Sequence, residues 1–210
     1  MSAKRTLRGA LAALACAALL PAGCRRAGER SSAMAEVKER KGVVTARGRP
    51  LTLLGPELKV GQPAPAFEVV DGDFQPVESS EFAGRVLLIS AVPSLDTGLC
   101  QIQTKRFNEE AAKLPAGVAV LTVSQDLPFA QKRFCEAEKV GRVRVLSDHV
   151  SRSFGLGWGL LIKENGLLTR AVAVVGRDGR LAYLQIVPDT SQPPDYDAAL
   201  AAARGAAGAR

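Results

Sequence analysis

A cysteine thiolate is the strongest nucleophile an unmodified protein commonly offers, and its neighbours decide whether it reacts. The chain holds four cysteines, Cys16, Cys24, Cys100 and Cys135, none of them in a Cys-x-x-Cys pair. Cys100 ends the segment Ala91-Val92-Pro93-Ser94-Leu95-Asp96-Thr97-Gly98-Leu99-Cys100, which leaves an apolar run and enters a stretch of helical character. In the first turn of a helix the free amide groups and the dipole stabilise an anion, so a thiol placed there is suited to nucleophilic attack. The hydroxyl of Thr97, three residues earlier, can reach the same spot and either donate or accept. Pro93 lacks an amide proton and stiffens the loop, which limits water around the sulfur. Only one histidine is present, His149 in Ser147-Asp148-His149-Val150. A Ser-His-Asp triad or a His-rich metal site therefore has little to draw on, and His149 reads as a loop or helix-entry residue. Gly155-Leu156-Gly157-Trp158-Gly159 lacks the spacing of a dinucleotide loop and does not follow the first strand.

The elements that must position this segment follow from periodicity. Residues 86–91 (Val-Leu-Leu-Ile-Ser-Ala) form a continuous apolar run, expected of a strand buried on both faces. Residues 118–123 and 143–146 predict two further strands, and 67–70 a short one. Helical character spans 97–113 and 128–139, the latter opened by Pro128 in its first turn. Residues 43–46 and 51–54 flank Arg47-Gly48-Arg49-Pro50 as an N-terminal β-hairpin. Residues 171–175 and 181–187 flank the Asp-Gly turn of Gly176-Arg177-Asp178-Gly179, a second hairpin. The Ala-rich residues 198–210 predict a short helix with a frayed end. The order β-α-β-α-β, hairpin, helix implies an α/β sandwich with a mixed central sheet flanked by helices. A thioredoxin-like fold suits that order, as do other α/β folds. Strand ends of open α/β sheets are where chemistry concentrates, and Cys100 lies just beyond one.

The totals set bounds. The 210 residues suit one domain with extensions, and 47% apolar content excludes a wholly disordered chain. Four cysteines over this length do not make a disulfide-stapled miniprotein. The net charge of +7 is inflated by the first residues, where Lys4, Arg5 and Arg8 precede an apolar run from Ala10 to Leu20 and then Pro21-Ala22-Gly23-Cys24. A basic start, a short apolar core and a small-residue end form a signal peptide, 1–23, rather than a fold element. The Leu20-Pro21-Ala22-Gly23-Cys24 ending resembles a bacterial lipoprotein signal, with Pro21 where that signal prefers an aliphatic residue. The resemblance implies acylation of Cys24 as the first mature residue and an extracytoplasmic, membrane-anchored location. Secretion after ordinary cleavage and an uncleaved anchor are the alternatives. Cys16 falls inside the removed segment. Residues 24–42 are polar and read as a flexible tether, 43–203 as the folded domain, and 204–210 as a frayed tail. Arg25, Arg26 and Arg30 lie next to the proposed lipid, as headgroup contacts or as part of a solvated tether. No basic stripe interleaved with aromatics argues for nucleic acid as a partner.

Pro93-Ser94-Leu95-Asp96-Thr97-Gly98-Leu99-Cys100 resembles the Pro-x-x-x-Thr-x-x-Cys motif of peroxiredoxins. Two more segments bring the chain closer to the bacterial thiol peroxidases, the atypical two-cysteine group. Leu58-Lys59-Val60-Gly61-Gln62-Pro63-Ala64-Pro65-Ala66-Phe67 is similar to that group's N-terminal signature. Leu127-Pro128-Phe129-Ala130-Gln131-Lys132-Arg133-Phe134-Cys135 is similar to its resolving-cysteine helix. The resemblance covers about residues 43–203 and implies a thioredoxin-like (peroxiredoxin) fold. It implies Cys100 as the peroxidatic cysteine, attacking hydrogen peroxide or an organic hydroperoxide to give a sulfenic acid. Thr97 would bond the sulfur and the peroxide, Arg170 would stabilise developing charge, and Pro93 would shield the pocket. Cys135 would resolve the sulfenic acid as an intramolecular disulfide, which a thioredoxin-like reductant reopens. The resemblance further implies no cofactor, no metal and a homodimer, with Phe154 and Trp158 as packing residues at a candidate subunit contact.

One physical constraint follows from those roles. Both cysteines are expected on helices, and a disulfide needs Cα atoms within about 7 Å. The folded reduced form is therefore expected to keep the sulfurs too far apart for a bond, so that a helix turn must unwind to close it. Two other functions compete: a thiol–disulfide oxidoreductase, which the missing Cys-x-x-Cys argues against, and a redox sensor or partner-binding lipoprotein without turnover.

Overall fold

The computed structural model describes residues 37–208. The leader, Cys24 and the tether up to residue 36 lie outside the described residues. Among the described residues, no helix is long and apolar enough to cross a membrane.

The chain begins with a hairpin, β1 (Glu39–Ala46) and β2 (Arg49–Leu54), with β8 (Leu161–Ile162) added to β2 as a third strand. Ala46 pairs with Arg49, so the loop is Arg47-Gly48. Both loop residues carry positive φ, 50° and 78°, as a two-residue type I′ turn requires. The sequence placed the hairpin correctly but began its first strand at 43. Glu39, Arg40 and Lys41 already pair with Leu54, Leu53 and Thr52, ahead of a bulge between Lys41 and Val44. The proposed tether, 24–42, therefore ends inside a strand. Glu39 and Lys41 are exposed, as suits an edge strand, whereas Arg40 is half-buried and donates through Nη2 to the Gly159 carbonyl.

A seven-stranded mixed sheet forms the centre, in the order β10-β9-β5-β6-β7-β3-β4. Its strands are β3 (Glu68–Val70), β4 (Pro76–Glu78), β5 (Val86–Ala91), β6 (Val118–Ser124), β7 (Arg144–Ser147), β9 (Ala171–Val175) and β10 (Leu181–Ile186). β5 pairs parallel with β6 and antiparallel with β9, and β6 pairs parallel with β7. Every residue of β5 is buried, as its apolar run demands. The strand alternates between two cores: Leu87, Ile89 and Ala91 enter one, Val86 and Leu88 the other. Helices α1 (Gly98–Ala111), α2 (Pro128–Glu138) and α4 (Tyr196–Gly208) contribute Phe107, Phe134, Ala199, Leu200 and Ala203 to the second core. α4 runs to Gly208, so the segment read as a frayed tail is helical across 204–208. The alanines at 202, 206 and 207 keep contact with that core, which carries the helix past the expected stop.

The first core holds Phe67, Phe154 and Trp158. Phe154 stands edge-on to Phe67 at 5.5 Å, and the Trp158 indole Nε1 donates to the Pro65 carbonyl at 3.1 Å. Phe154 and Trp158 are 1% and 2% exposed within the single chain. The reading as packing residues stands, but they offer no surface to a second subunit. Phe154 and the glycine segment belong to a five-residue helix, α3 (Ser153–Gly157), and its exit. A Cβ on Gly159 would lie 2.0 Å from the Pro56 carbonyl oxygen, and one on Gly155 2.8 Å from Leu168. These glycines permit close packing, not ligand approach. Asp148 caps this region, accepting from the amides of Phe154 and Gly155 and from Gln125 Nε2. Burial pushes its carboxyl up to about 6 against the pull of those three donors and the nearby Arg152. His149 sits in the adjoining turn, with Nδ1 2.9 Å from Ser147 Oγ.

Candidate active site

The chain leaves β5 at Ala91, and the Val92 amide still reaches the neighbouring strand at Val123 O, 3.0 Å. The next five residues form a tight loop held from one point. Asp126, just past the end of β6, accepts from Ser94 Oγ at 2.7 Å and from the Leu95 amide at 2.7 Å. Thr97 is the N-cap residue of α1, in extended conformation (φ −111°, ψ 138°). Cys100 is the third residue of the helix and is fully buried.

α1 carries an unusual buried stripe. Its inward positions are Cys100, Gln103, Thr104, Phe107, Asn108 and Glu110, so most of the face is polar. The stripe has the i, i+3, i+4, i+7 spacing of a core-facing helix without its usual composition. Gln103 Nε2 donates to Ser90 Oγ on β5 at 2.8 Å, which fixes its orientation and leaves Oε1 as an acceptor. Arg170 supplies the donor: Nη1 to Gln103 Oε1 is 2.6 Å. The same guanidinium donates through Nη2 to Cys100 Sγ at 3.4 Å and through Nε to the Thr190 carbonyl at 3.0 Å. Arg170 is only 2% exposed, and its partners among the described residues are an amide oxygen, a carbonyl and the sulfur, with no carboxylate among them. The Gln103 and Thr190 bonds orient the buried guanidinium so that one donor remains for the sulfur.

The N-terminal hairpin completes the site. The Thr45 amide donates to Pro188 O at 2.7 Å, and the Thr190 amide donates to Thr45 O at 2.9 Å. This zips the hairpin to the segment that holds Arg170 Nε. Pro93, Thr97, Leu99, Arg170, Ala46 and Arg47 line one shared cleft. Arg47 is exposed at its mouth.

The structure thus brings Pro93, Thr97, Cys100 and Arg170 together. Thr97 differs from expectation in one contact. Its hydroxyl donates to the Ser94 carbonyl at 2.9 Å, within its own turn, instead of to the sulfur. With its proton committed there, the oxygen faces other partners as an acceptor. Cys135 lies near the end of α2, half-buried, and packs against the apolar cluster that contains Cys100. Both thiols are free, and both helices are intact through their cysteines. Burial pushes the Cys135 thiol above its ordinary value, and the Glu136 carboxylate adds to the effect.

Sequence reasoning missed Asp126, Gln103, Arg47 and Tyr196. Gln103 carried a signal, because it lies one helical turn beyond Cys100 and so shares its face. Asp126 precedes the Leu127-Pro128 helix start, where an acidic residue reads as a cap; its side chain turns to the other loop instead. Tyr196, the first residue of α4, has a buried hydroxyl without a partner among the described residues. Burial pushes its phenol up, Arg170 and Arg106 pull it down, and Cys100 raises it. The ring packs against Phe107 at 5.5 Å, in the apolar cluster that contains Cys100.

The Redoxin family model matches residues 59–200. The thiol peroxidase of Halalkalibacterium halodurans is 49% identical over 163 residues, covering 78% of this chain and 98% of the relative. That of Bacillus subtilis is 45% identical over 161 residues, covering 77% and 96%. Among solved structures, a peroxiredoxin-like protein from Aquifex aeolicus superposes with a TM-score of 0.74 at 42% identity, over 80% of this chain and 97% of that one. A thiol peroxidase from Chromobacterium violaceum shares the fold, with a TM-score of 0.65 at 21% identity over 74% and 91%.

Proposed function

We propose a catalytic cycle for this chain on the premise that it belongs to the Redoxin family and, within it, to the thiol peroxidases. The cycle starts at Cys100. Its thiolate attacks one oxygen of a hydroperoxide, the O–O bond breaks, and the sulfur leaves as a sulfenic acid. The departing oxygen carries the electron pair away and takes up a proton as water or an alcohol. The buried guanidinium of Arg170, 3.4 Å from the sulfur through Nη2, is the single observation that carries this reading. It stabilises the thiolate before the reaction and adjoins the place where charge moves during it. Gln103 holds that guanidinium in place through a 2.6 Å bond. The Thr97 hydroxyl, its own proton given to Ser94, can accept from the O–H of the incoming peroxide. Pro93 closes one wall of the cleft without adding a donor that would hold water.

The second half of the cycle belongs to Cys135. Its thiol condenses with the sulfenic acid, water leaves, and a Cys100–Cys135 disulfide forms. Both thiols are free on intact helices, which supports local unwinding as the step that brings the sulfurs into bonding range. A dithiol reductant of thioredoxin-like type then reopens the bond by exchange. The leader and Cys24 suggest that this happens outside the cytoplasm on a lipid anchor, where reducing equivalents must be delivered across the membrane. Labelling with palmitate, with Cys24→Ala as control, tests the anchor. The homodimer implied by the resemblance would use exposed apolar residues, and Phe74, Leu127, Phe129 and Val150 supply them. Sedimentation of the full chain tests that.

Steady-state peroxide consumption with a dithiol reductant tests the cycle itself. Cys100→Ser is expected to abolish turnover. Retained turnover in that variant would overturn the assignment.

A further inference from the structure

The segment that carries Cys100 and the helix that carries Cys135 share one hydrogen-bond chain, half-buried at Asp126 and buried at Ser124 and Gln131. Its centre is the Asp126 carboxylate. From one side it accepts Ser94 Oγ and the Leu95 amide, both at 2.7 Å, in the loop that leads into the Cys100 helix. From the other side it accepts Ser124 Oγ at 2.8 Å. A hydroxyl has one proton, and Ser124 gives it to Asp126, so its oxygen is left to accept. It accepts from Gln131 Nε2 at 3.0 Å. Gln131 lies on α2, four residues before Cys135 and therefore on the same helix face. Every proton in the chain points toward the carboxylate, so the bonds polarise one another. Ser124 and Gln131 are 0% and 1% exposed, which removes competition from water.

A second feature shows that this anchor is poised. Gln131 Nε2 also donates to the Leu146 carbonyl at 2.8 Å, which fixes the amide with its oxygen facing away. That oxygen is buried without a hydrogen-bond partner among the described residues. Opening α2 would let water reach it. The folded arrangement is thus held by one set of bonds and opposed by one unmet acceptor.

We propose that Asp126 and Ser124 are positioning residues that couple the Cys100 loop to the Cys135 helix, so that the two segments leave the folded state together. The consequence is kinetic. The sulfenic acid at Cys100 has two fates, disulfide closure after unwinding or further oxidation to sulfinic acid while still folded. The strength of the Asp126 chain sets the partition between them. This rests on Cys135 as the resolving residue.

Ser124→Ala removes the link and adds no bulk, leaving Asp126 on its own loop. Gln131→Leu cuts the same link from the helix side, with similar bulk and helix propensity, should the first variant fold poorly. Two measurements read the outcome on the full chain. In the reduced protein, hydrogen exchange is followed at the start of α1 and around Cys135; either variant is expected to raise exchange at both together. In peroxide titrations under turnover, the concentration that converts half of Cys100 to sulfinic acid is expected to rise about fivefold, the equilibrium change from losing one ordinary buried hydrogen bond. A merely structural role would lower the melting temperature and leave that concentration unmoved, which overturns the proposal. Faster exchange in one segment alone overturns it as well. If wild type forms no Cys100–Cys135 disulfide, the resolving assignment has failed. If that disulfide forms in all three proteins with an unchanged partition, only the coupling has failed.

Discussion

Cys100 and Cys135 pack in the same apolar cluster, on one face of one sheet, yet their surroundings are opposite. Around Cys100 the chain assembles positive potential: the first turn of α1 and the Arg170 guanidinium. Around Cys135 it assembles the reverse: partial burial, a position near the helix C-terminus and the carboxylate of Glu136. A buried guanidinium donates to the sulfur in one place, whereas burial and a nearby carboxylate favour the neutral thiol in the other. A peroxide needs an attacker that is already ionised. A resolving thiol needs only to wait until the first has reacted. The asymmetry supports the two roles proposed for them.

The comparison breaks most visibly if Cys135 is removed. Cys135→Ser is expected to retain the first turnover at full rate and lose steady-state turnover entirely, with sulfinic acid accumulating at Cys100. Normal cycling in that variant would mean another thiol resolves. The next effect lies on the other side. Arg170→Ala should slow the first turnover about a hundredfold or more, the usual loss when one preorganised donor to a developing charge is removed. Stopped-flow measurement under single-turnover conditions reads it directly, and Arg170→Lys should recover only part, since an ammonium cannot hold Gln103, Thr190 and the sulfur at once.

A smaller effect sharpens the contrast in pH. The Cys135 thiol is raised, so less of it is thiolate at any given pH. Its alkylation by iodoacetamide in Cys100→Ser should be several-fold slower near neutrality than in the urea-unfolded chain, and should catch up only in alkaline solution. An identical profile in the two states would remove the environmental difference. The smallest effect concerns the mouth of the cleft. Arg47 lines it beside Thr97 and Arg170. Arg47→Ala should lower kcat/KM for a carboxylated hydroperoxide about two- to fivefold at low salt and leave tert-butyl hydroperoxide unaffected, in keeping with the modest strength of exposed charge pairs.

How much of this was legible depended on how local each signal is. β5 could be read from six residues because a strand buried on both faces must be apolar throughout. The β9–β10 turn could be read from Asp178-Gly179 because its geometry is set by the residues in it, with Gly179 at φ 75°. β4 and β8, of three and two residues, are too short to show a period, and they are defined by pairing with β3 and β2. In the site, Cys100 and Thr97 were legible from spacing along one loop and helix. Arg170 carried no local signal at all and entered only through resemblance. Asp126 and Gln131 were missed for a related reason. Both are polar residues at or just before α2, where solvent exposure or capping is the ordinary expectation, and only tertiary contacts with the Cys100 loop, β6 and β7 take up their side chains. The polar stripe on α1 misleads in the same way, since Gln103, Thr104 and Asn108 occupy positions that periodicity reserves for apolar side chains.

The most direct test of the account is a stoichiometric titration. The reduced full chain is mixed with a single equivalent of hydrogen peroxide, quenched on the millisecond scale and mapped by peptide mass analysis. The account predicts a sulfenic acid at Cys100 that converts, with loss of one water, to a Cys100–Cys135 disulfide before any other residue changes. Peroxide left unconsumed while Cys100 stays a free thiol would contradict it.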